Sequence, residues 1–407
     1  MFPKYLSLGN NSSMAETLTE MDVLIVGGGV AGQRLGANKW FDPEVVGEET
    51  AAHMHGHIID PNLPLQQFDD LNHMRSALDD GRLTIGEHVP AYRHFDVAYI
   101  ASPTGKHMES LAEVNNLRAF HPNRHTSWTI LEKPVVSGVY EEDLLRTMLS
   151  EGWIDPDRMY VHEPYLLSHG LQRMRSLIVE QRGVGNPPTD IRVWSNKDRT
   201  PDVARGRTGN EPQLGAFGVE FPHTHGAASL LAGVELGVQH VYDDRNIYYK
   251  NVDNNPLSEG TYTEFIHDDT VIRVAQGLGP FVMTSIGKMF SNPRPDITRA
   301  AEVTFADGRR THLDLQPAVD RHALTKEHPY RHTIWTTYDA ADSPKDQEFI
   351  PDYPIKTLIT NVIDKLREPS TPLLQGVGIE VSLGRCVAIR ELREQAQVQD
   401  GTVPEPN

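Results

Sequence analysis

The chain of 407 residues has little that could crosslink it and a deficit of positive charge. Its single cysteine, Cys386, excludes an internal disulfide and sits among helix formers, which indicates a reducing compartment and a core position. With 38 lysines and arginines against 56 aspartates and glutamates, the net charge of −18 repels nucleic acid and anionic lipid, so we expect neither as a partner. No apolar run approaches the roughly 18 residues of a membrane span, and the N-terminal stretch lacks a signal-peptide core, so we expect a cytoplasmic protein.

The pattern of apolar runs changes near residue 165. Over residues 21–165, Val- and Ile-rich runs alternate with helix-like stretches, which predicts a parallel sheet covered by helices. Over residues 166–395, several alternating strand patterns follow one another without intervening helices, which predicts an α+β domain with a largely antiparallel open sheet. We expect flexible tails at residues 1–20 and 396–407.

A glycine-rich turn follows the first apolar run, in "VLIVGGGVAGQRLG". Gly27, Gly29 and Gly32 have the spacing G-x-G-x-x-G between a predicted strand and a predicted helix. In dinucleotide-binding proteins the first glycine allows the tight turn, the second the approach of the pyrophosphate, and the third the close packing of helix on strand. This predicts a Rossmann domain that binds NAD or NADP at this loop, with Val30 and Ala31 at the helix start. The alternative is an ordinary glycine-rich turn.

The same fingerprint requires an acidic residue at the end of the second strand, where it binds the adenosine ribose. Asp60 ends the apolar run "GHIID", although it lies 28 residues after Gly32, later than the usual spacing of about 20. An insertion around "GEETAAHMHG" would account for the delay, and Glu48 is the competing candidate. A carboxylate repels a 2′-phosphate, so Asp60 favours NAD over NADP. The alternative is a turn or cap aspartate before Pro61.

Two further motifs follow in order, "ASPTGKH" after the fourth predicted strand and "EKP" after the fifth. With the glycine loop they resemble the glucose-fructose oxidoreductase, inositol dehydrogenase and MocA-like (Gfo/Idh/MocA) oxidoreductases. "GVEFPHTHGAASLLAG" is similar to the family's helix carrying an acid and a histidine, and the resemblance covers most of residues 21–390. It implies NAD or NADP, hydride transfer at a hydroxyl or keto group of a sugar, cyclitol or related polyol, and a homodimer or homotetramer.

In an open parallel sheet, ligands bind beyond the C-terminal ends of the strands, where both motifs converge. The expected cofactor-binding residues there are Ser102, Thr104, His107, Glu132 and Lys133. A lysine at this place can donate a proton or a hydrogen bond to a carbonyl or alcohol oxygen while hydride moves to or from nicotinamide. Lys133 is therefore a predicted catalytic residue. The alternative is a surface salt bridge with Glu132.

His223, from the second domain, is the predicted acid/base group, while Lys133 keeps its charge and polarises the oxygen. Many family members carry an aspartate four positions before the histidine, where this sequence has Val219. Glu220 shares a helical face with His223 and is the predicted catalytic support, unless it caps the helix ahead of Pro222. Because Val219 replaces the usual aspartate, two other reactions remain alternatives: imine reduction, and a redox-neutral step with a tightly held cofactor. A nucleotide-sensing protein without turnover is the third reading, against which the intact lysine and histidine argue.

Three further residues are candidates for substrate binding. Glu163 and Tyr165 lie in "VHEPYLLSHG" at the domain junction, where the family places substrate contacts. The alternative for both is packing of the hinge. His225 follows His223 by two positions, which on a helix points away, although near the helix start it could still reach the cleft.

"HMHGH" places His53, His55 and His57 at alternate positions. On a strand, such imidazoles share a face and could bind a metal ion. No cysteine or carboxylate pattern completes a site, so we expect histidines near the second strand and no metal.

Overall fold

A computed structural model of the protein describes residues 20–29, 31–60, 71–89, 93–120, 126–197, 217, 221–250, 252, 259–278, 281–283, 289–291, 298–315, 332–372, 374 and 376–400. These residues form two large sheets with covering helices, and a short two-stranded ribbon. Val30 and Glu220, both predicted site residues, lie outside the described residues.

The first sheet is parallel throughout. Its strands are β1 (Met21–Val26), β2 (Met54–Ile59), β3 (Leu83–Gly86), β4 (Phe95–Ile100), β5 (Thr126–Glu132) and β6 (Met159–His162). The helices in this part of the chain are the π-helical segment Gly32–Ala37, α1 (Asn38–Trp40), α2 (Pro43–Val46), α3 (Glu48–Ala52), α4 (Asn72–Asp79), α5 (His107–Phe120) and α6 (Val139–Ser150). The order β3-β2-β1-β4-β5-β6 reverses between β1 and β4, and such sheets bind ligands in the crevice at that point.

Both faces of the first sheet are buried, which explains why its strands read as continuous apolar runs. In β1, Val23 and Ile25 point into one hydrophobic core. Leu24 and Val26 point into a second core on the opposite face. The predicted parallel sheet is therefore confirmed, together with the fold class.

The second sheet is mixed and mostly antiparallel. Its strands are β7 (Pro188–Lys197), β8 (Val241–Lys250), β9 (Glu259–His267), β10 (Thr270–Leu278), β13 (Thr298–Phe305), β14 (Arg310–Asp314), β15 (His332–Tyr338), β16 (Pro344–Pro351) and β17 (Gln397–Asp400), while β11 (Phe281–Met283) and β12 (Met289–Ser291) form the ribbon. Within the described part of this second sheet, only the pairs β7–β10 and β8–β17 are parallel. Two helices, α7 (His169–Gly183) and α8 (Phe221–Ala232), pack against one face and share a core with it.

The last two helices, α9 (Pro354–Arg367) and α10 (Ile379–Gln395), return to the first sheet. Leu358 of α9 lies in the core on one face of that sheet. Along α10, Leu383 packs into the core on the other face, whereas Leu392 packs into the core of the second sheet. The part of the chain after residue 165 therefore also contributes helices to the first sheet, which the sequence did not predict, because periodicity along the chain shows that a helix has an apolar face but not which sheet covers it.

The C-terminal boundary differs from the prediction as well. Gln397–Asp400 is the edge strand β17 beside β8, so the tail predicted over 396–407 begins with paired backbone. Residues 1–19 and 401–407 lie outside the described residues. Of the helices that the structure describes, none is long and apolar enough to cross a membrane.

Candidate functional site

The glycine loop has the geometry that the fingerprint requires. Gly27 has a φ of +96°, and a Cβ there would lie 2.6 Å from the backbone nitrogen of Ser102. A Cβ on Gly32 would overlap the carbonyl oxygen of Gly27 and lie 3.0 Å from its carbon, so the helix rests directly on the loop. Around Gly29 a Cβ would meet nothing within 4 Å, which is the open side that a pyrophosphate needs.

Asp60 lies beside the glycine loop, as its predicted role requires. Its Oδ2 accepts a hydrogen bond of 2.6 Å from the backbone N–H of Gly28. The short helices α2 and α3 occupy the chain before β2 and explain why this acid comes late. Glu48 is an exposed residue at the start of α3, ahead of the strand and not at its C-terminal end.

Gln33 is a further loop residue, which the motif did not predict. Its side-chain amide donates to the carbonyl of Gly28 at 2.5 Å, and its backbone N–H donates to Gly29. The side chain is completely buried, so it fixes the loop from within the fold. Ala31, predicted at the helix start, is the residue that precedes the π-helical segment.

The turn after β4 is fixed mainly by hydrogen bonds within the protein. The hydroxyl of Ser102 lies 2.9 Å from that of Ser110, and Thr104 is buried in a short 3₁₀ turn. The ring of His107 spans two loops, with Nε2 2.9 Å from the carbonyl of Ser102 and Nδ1 3.0 Å from the carbonyl of Pro134. Burial lowers the pKa of His107. His107 therefore braces the site, and both ring nitrogens face backbone rather than the crevice.

Glu132 belongs to a buried cluster with two residues that the sequence reasoning missed. Its Oε1 accepts a hydrogen bond from the hydroxyl of Tyr99 and lies 2.6 Å from Nδ1 of His162. Burial acts to raise the pKa of Glu132, but His162, Tyr99 and the charge of Lys133 together lower it. In the sequence, Tyr99 and His162 were visible only as polar residues in the apolar runs "DVAYIAS" and "MYVHEP".

The segments carrying Lys133 and His223 meet at one pocket. Lys133 is half-buried and precedes Pro134, with a cis peptide bond between them. Pro134 lines a pocket that is open to solvent, and so does Pro222, the residue before His223. The lining consists of Pro134, Val136, Ser137, Gly138, Glu142, Phe217, Pro222, Cys386, Ile389, Arg390 and Arg393. The chain neighbours of Lys133 and His223 therefore line one pocket, although neither predicted catalytic residue is itself among the lining residues.

His223 and Tyr165 are in direct contact. Their ring centroids lie 4.9 Å apart in an edge-to-face arrangement, and both side chains are buried. The guanidinium of Arg299 lies 5.2 Å from the Tyr165 ring. Tyr165 therefore supports the histidine at the junction of the two sheets, so these two predicted site residues form one unit.

His225 does not reach the crevice, which corrects the prediction of a substrate contact. Two residues along a helix turn the side chain by about 200°, so His225 points into the core opposite to His223. It is completely buried against Phe221 and Phe265, and its Nε2 lies 2.8 Å from the carbonyl of Leu236. Burial, with the charge of Arg385 as a second cause, lowers the pKa of His225 to about 3.

Glu163 is also engaged within the protein. Its carboxylate accepts hydrogen bonds from Ser382, at 2.7 Å, and from Arg385, both on α10. Arg385 in turn donates to Glu235 at 2.7 Å. The carboxylate of Glu163 is buried below Gly226 of α8, so it joins β6 to the two helices. This arrangement is the hinge packing that stood as the alternative to substrate binding.

Of the three alternating histidines, only His55 and His57 lie in β2 and share a strand face. His53 precedes β2 and its ring contacts the carbonyl of Glu49. The ring nitrogens of His57 lie 2.7 Å from the hydroxyl of Thr84 and 3.0 Å from the carbonyl of His88. Within the described ranges, no group of three histidine, cysteine or acidic side chains could hold a metal ion.

Neither protein-family models nor curated protein sequences match this chain. Solved structures do. A candidate NADPH-dependent oxidoreductase from Desulfitobacterium hafniense has a TM-score of 0.60 at 13% identity, over 93% of this chain and 96% of that one. The transcriptional regulator Gal80p from Kluyveromyces lactis has a TM-score of 0.60 at 9% identity, over 93% and 94%.

An oxidoreductase from Agrobacterium radiobacter, solved with NAD⁺, L-tartaric acid and magnesium, has a TM-score of 0.55 at 14% identity, over 93% of this chain and 96% of that one. At such identities the likeness shows the fold alone. The fold is thus one that oxidoreductases and a transcriptional regulator share, and function has to be argued from the site.

Proposed function

We propose that the protein is a cytoplasmic NAD-dependent oxidoreductase, with NADP as the alternative cofactor. It transfers hydride between nicotinamide and a hydroxyl or keto group of a sugar, cyclitol or related polyol. The observation that carries the proposal is the meeting of the Lys133 and His223 segments at one pocket, beside the C-terminal ends of the parallel strands. The substrate class rests on the resemblance of the ordered motifs to the Gfo/Idh/MocA oxidoreductases.

The described residues fit a dinucleotide. The space around Gly29 admits a pyrophosphate close to the backbone, and the contact of Gly32 with Gly27 brings the start of the helix to the same place. Asp60 lies where an adenosine ribose would hydrogen-bond to a carboxylate. Its charge opposes a 2′-phosphate, which is why NAD is the preferred partner.

Lys133 and His223 divide the proton chemistry. The nicotinamide supplies or accepts the hydride. In the oxidation direction, the ammonium group of Lys133 donates a hydrogen bond to the substrate oxygen and stabilises the negative charge that develops there. Neutral His223 accepts the hydroxyl proton as the carbon loses hydride, so proton and hydride leave in one step and charge balances. Tyr165, edge-on to the histidine, limits the orientations of its ring.

The test begins with cofactor binding, followed by nicotinamide fluorescence with NADH and NADPH titrated separately. Asp60→Asn keeps an acceptor for the Gly28 N–H and removes the charge, so the preference for NADH should fall by about tenfold, or about 1.4 kcal/mol. The control is Glu48→Gln, the competing acid, which should bind both cofactors as the wild type does. Absence of binding by either cofactor would overturn the proposal.

Turnover is tested next with a panel of sugars, cyclitols and hydroxy acids, measuring NADH formation. Lys133→Ala should lower kcat by about 10²–10⁴ while NADH binding persists, because general acid–base and electrostatic contributions are of that size. Cofactor that copurifies and does not exchange would favour the redox-neutral alternative, whereas imines reduced in preference to ketones would favour imine reduction.

A regulator that binds nucleotide without turnover is the second candidate. The observation that favours it is that Gal80p, a transcriptional regulator, shares the fold at a TM-score as high as that of the Desulfitobacterium protein. It predicts cofactor binding with no hydride transfer on any substrate of the panel. It also predicts that Lys133→Ala leaves the biological activity unchanged.

We further propose a homodimer or homotetramer formed through the outer face of the second sheet. Residues on this face alternate with those of the core, and at one end Tyr249 and Tyr262 are already buried within the single chain, beside the partly buried Trp194. The other end carries ion pairs across strands, among them Arg192 to Glu302 at 3.6 Å. Light scattering after size exclusion tests this, and a monomer at micromolar concentration would count against it.

A further inference from the structure

The Tyr99–Glu132–His162 cluster lies on three neighbouring strands, immediately before Lys133 in the chain. β4, β5 and β6 are adjacent, and Glu132 pairs directly with His162. Tyr99 and His162 are almost completely buried, and the side chain of Glu132 is 13% exposed. A Cβ added to Gly36 would lie 3.2 Å from the ring of Tyr99, so the cluster also touches the helix of the glycine loop.

Two donors converge on one oxygen of Glu132. The phenol O–H of Tyr99 donates to Oε1, and Nδ1 of His162 lies 2.6 Å from the same atom, to which it donates in the tautomer that carries the hydrogen on Nδ1. Donors of this kind favour the charged carboxylate over the neutral acid. The other titratable groups that act on this carboxylate are Lys133, whose charge supports the ionised form, and His107 on α5.

Burial disfavours the negative charge of Glu132, and the hydrogen bonds from Tyr99 and His162 offset this cost. The pKa of Glu132 is lowered even though desolvation alone would raise it. The phenol of Tyr99 stays protonated, because burial and the neighbouring carboxylate raise its pKa well above the ordinary value. A buried acid held in its ionised form is costly for stability, since apolar residues of similar volume often serve the fold as well or better. Glu132 directly precedes the predicted catalytic Lys133, so its charge can act on that lysine.

We propose that Tyr99 and His162 are positioning residues that hold Glu132 as a carboxylate, and that this charge keeps Lys133 in its ammonium form. The inference rests on the proposed function, in which that ammonium group polarises the substrate oxygen. The fixed negative charge would hold the lysine protonated across the working pH range, leaving His223 as the group that exchanges the proton.

The experiment measures the titration of Lys133 without any substrate. Full-length protein is acetylated briefly with acetic anhydride across a pH series, and modification of Lys133 is quantified by peptide mass spectrometry. Exposed Lys106 serves as the internal reference in every sample. Losing the opposite charge of the neighbouring residue should lower the midpoint for Lys133 in Glu132→Gln by about 1 pH unit. Tyr99→Phe and His162→Gln should shift it in the same direction by less.

Tyr160→Phe is the matched control. Tyr160 lies on β6 in the same core, but its hydroxyl bonds to Asn361 at 2.6 Å and not to Glu132. An unchanged midpoint in Glu132→Gln with cooperative thermal unfolding would overturn the inference. If that variant does not fold, an unchanged midpoint in Tyr99→Phe, which loses one hydroxyl, would do so.

Failure of the proposed function looks different from failure of this inference. If Glu132→Gln shifts the midpoint but Lys133→Ala leaves turnover intact, the cluster governs the lysine and the proposed catalytic role is wrong. If Lys133→Ala abolishes turnover while Glu132→Gln leaves the midpoint in place, the catalytic role stands and the positioning role fails.

Discussion

Alanine substitutions at Gly32 and Gly29 should separate folding of the glycine loop from cofactor binding. At Gly32 the new methyl group would overlap the carbonyl oxygen of Gly27, and both atoms belong to backbone that cannot turn aside. Overpacking of this kind costs about 3 kcal/mol. For a folding unit of about 150–250 residues, that loss lowers Tm by about 6–12 °C.

At Gly29 the same substitution meets no atom within 4 Å, so the free protein should keep its Tm to within about 1 °C. The methyl group instead occupies the open side of the loop, where the pyrophosphate of the proposed cofactor would approach the backbone. NADH affinity should fall by about tenfold or more, which corresponds to about 1.4 kcal/mol.

Differential scanning fluorimetry and NADH titration on both variants check the pair. The expected result is a stability loss for Gly32→Ala and a selective affinity loss for Gly29→Ala. Wild-type NADH affinity in Gly29→Ala would refute the assignment of that open space to the pyrophosphate. An equal fall in Tm for both variants would refute the packing argument itself.

Two further predictions concern buried charge. Arg385→Ala leaves the carboxylate of Glu163 buried without its guanidinium, so chemical denaturation should show a loss of about 3–5 kcal/mol in the free energy of unfolding. Lys345→Ala removes an exposed ion pair to Asp339 and should cost less than about 1 kcal/mol. Similar losses in the two variants would contradict the reasoning. Burial lowers the pKa of His225 to about 3, so below about pH 6.5 the folded protein binds fewer protons than the unfolded chain. The free energy of unfolding is therefore highest above about pH 6.5 and falls as the pH falls, with a loss from His225 of about 2 kcal/mol at about pH 5. The change in urea midpoint between about pH 7 and pH 5 should therefore shrink in His225→Gln, and an undiminished change would count against the burial argument.

The sequence was most informative where both faces of an element are covered. β1 and β4 are apolar apart from Asp22 and Asp96 near their starts, because helices pack on either side, and such runs are visible without any partner. Glycines at a tight turn, such as Gly27 and Gly32, could also be placed, since a side chain at either position would collide with backbone. The position of Asp60 beside the glycine loop could be predicted in spite of its late place in the chain, because it follows the end of a strand.

Residues that meet only in space escaped the sequence reasoning. Tyr99 and His162 lie 63 residues apart, and nothing in either segment indicates that both bind the carboxylate of Glu132. Glu163 was taken as a substrate contact because its partner Arg385 lies far along the chain. His225 was ambiguous for a related reason, since the direction of a helical side chain depends on which face the second sheet covers.

The position of α9 and α10 at the end of the chain also bears on how the protein is made. Both helices complete cores of the first sheet, through residues such as Leu358 and Leu383. During synthesis the earlier part of a chain leaves the ribosome first and folds as far as its own contacts allow. Here the first sheet cannot complete the cores on its two faces until nearly the whole protein has emerged. A chain stopped at residue 165 should therefore aggregate rather than fold, so this half is not a module that evolution could detach and reuse intact.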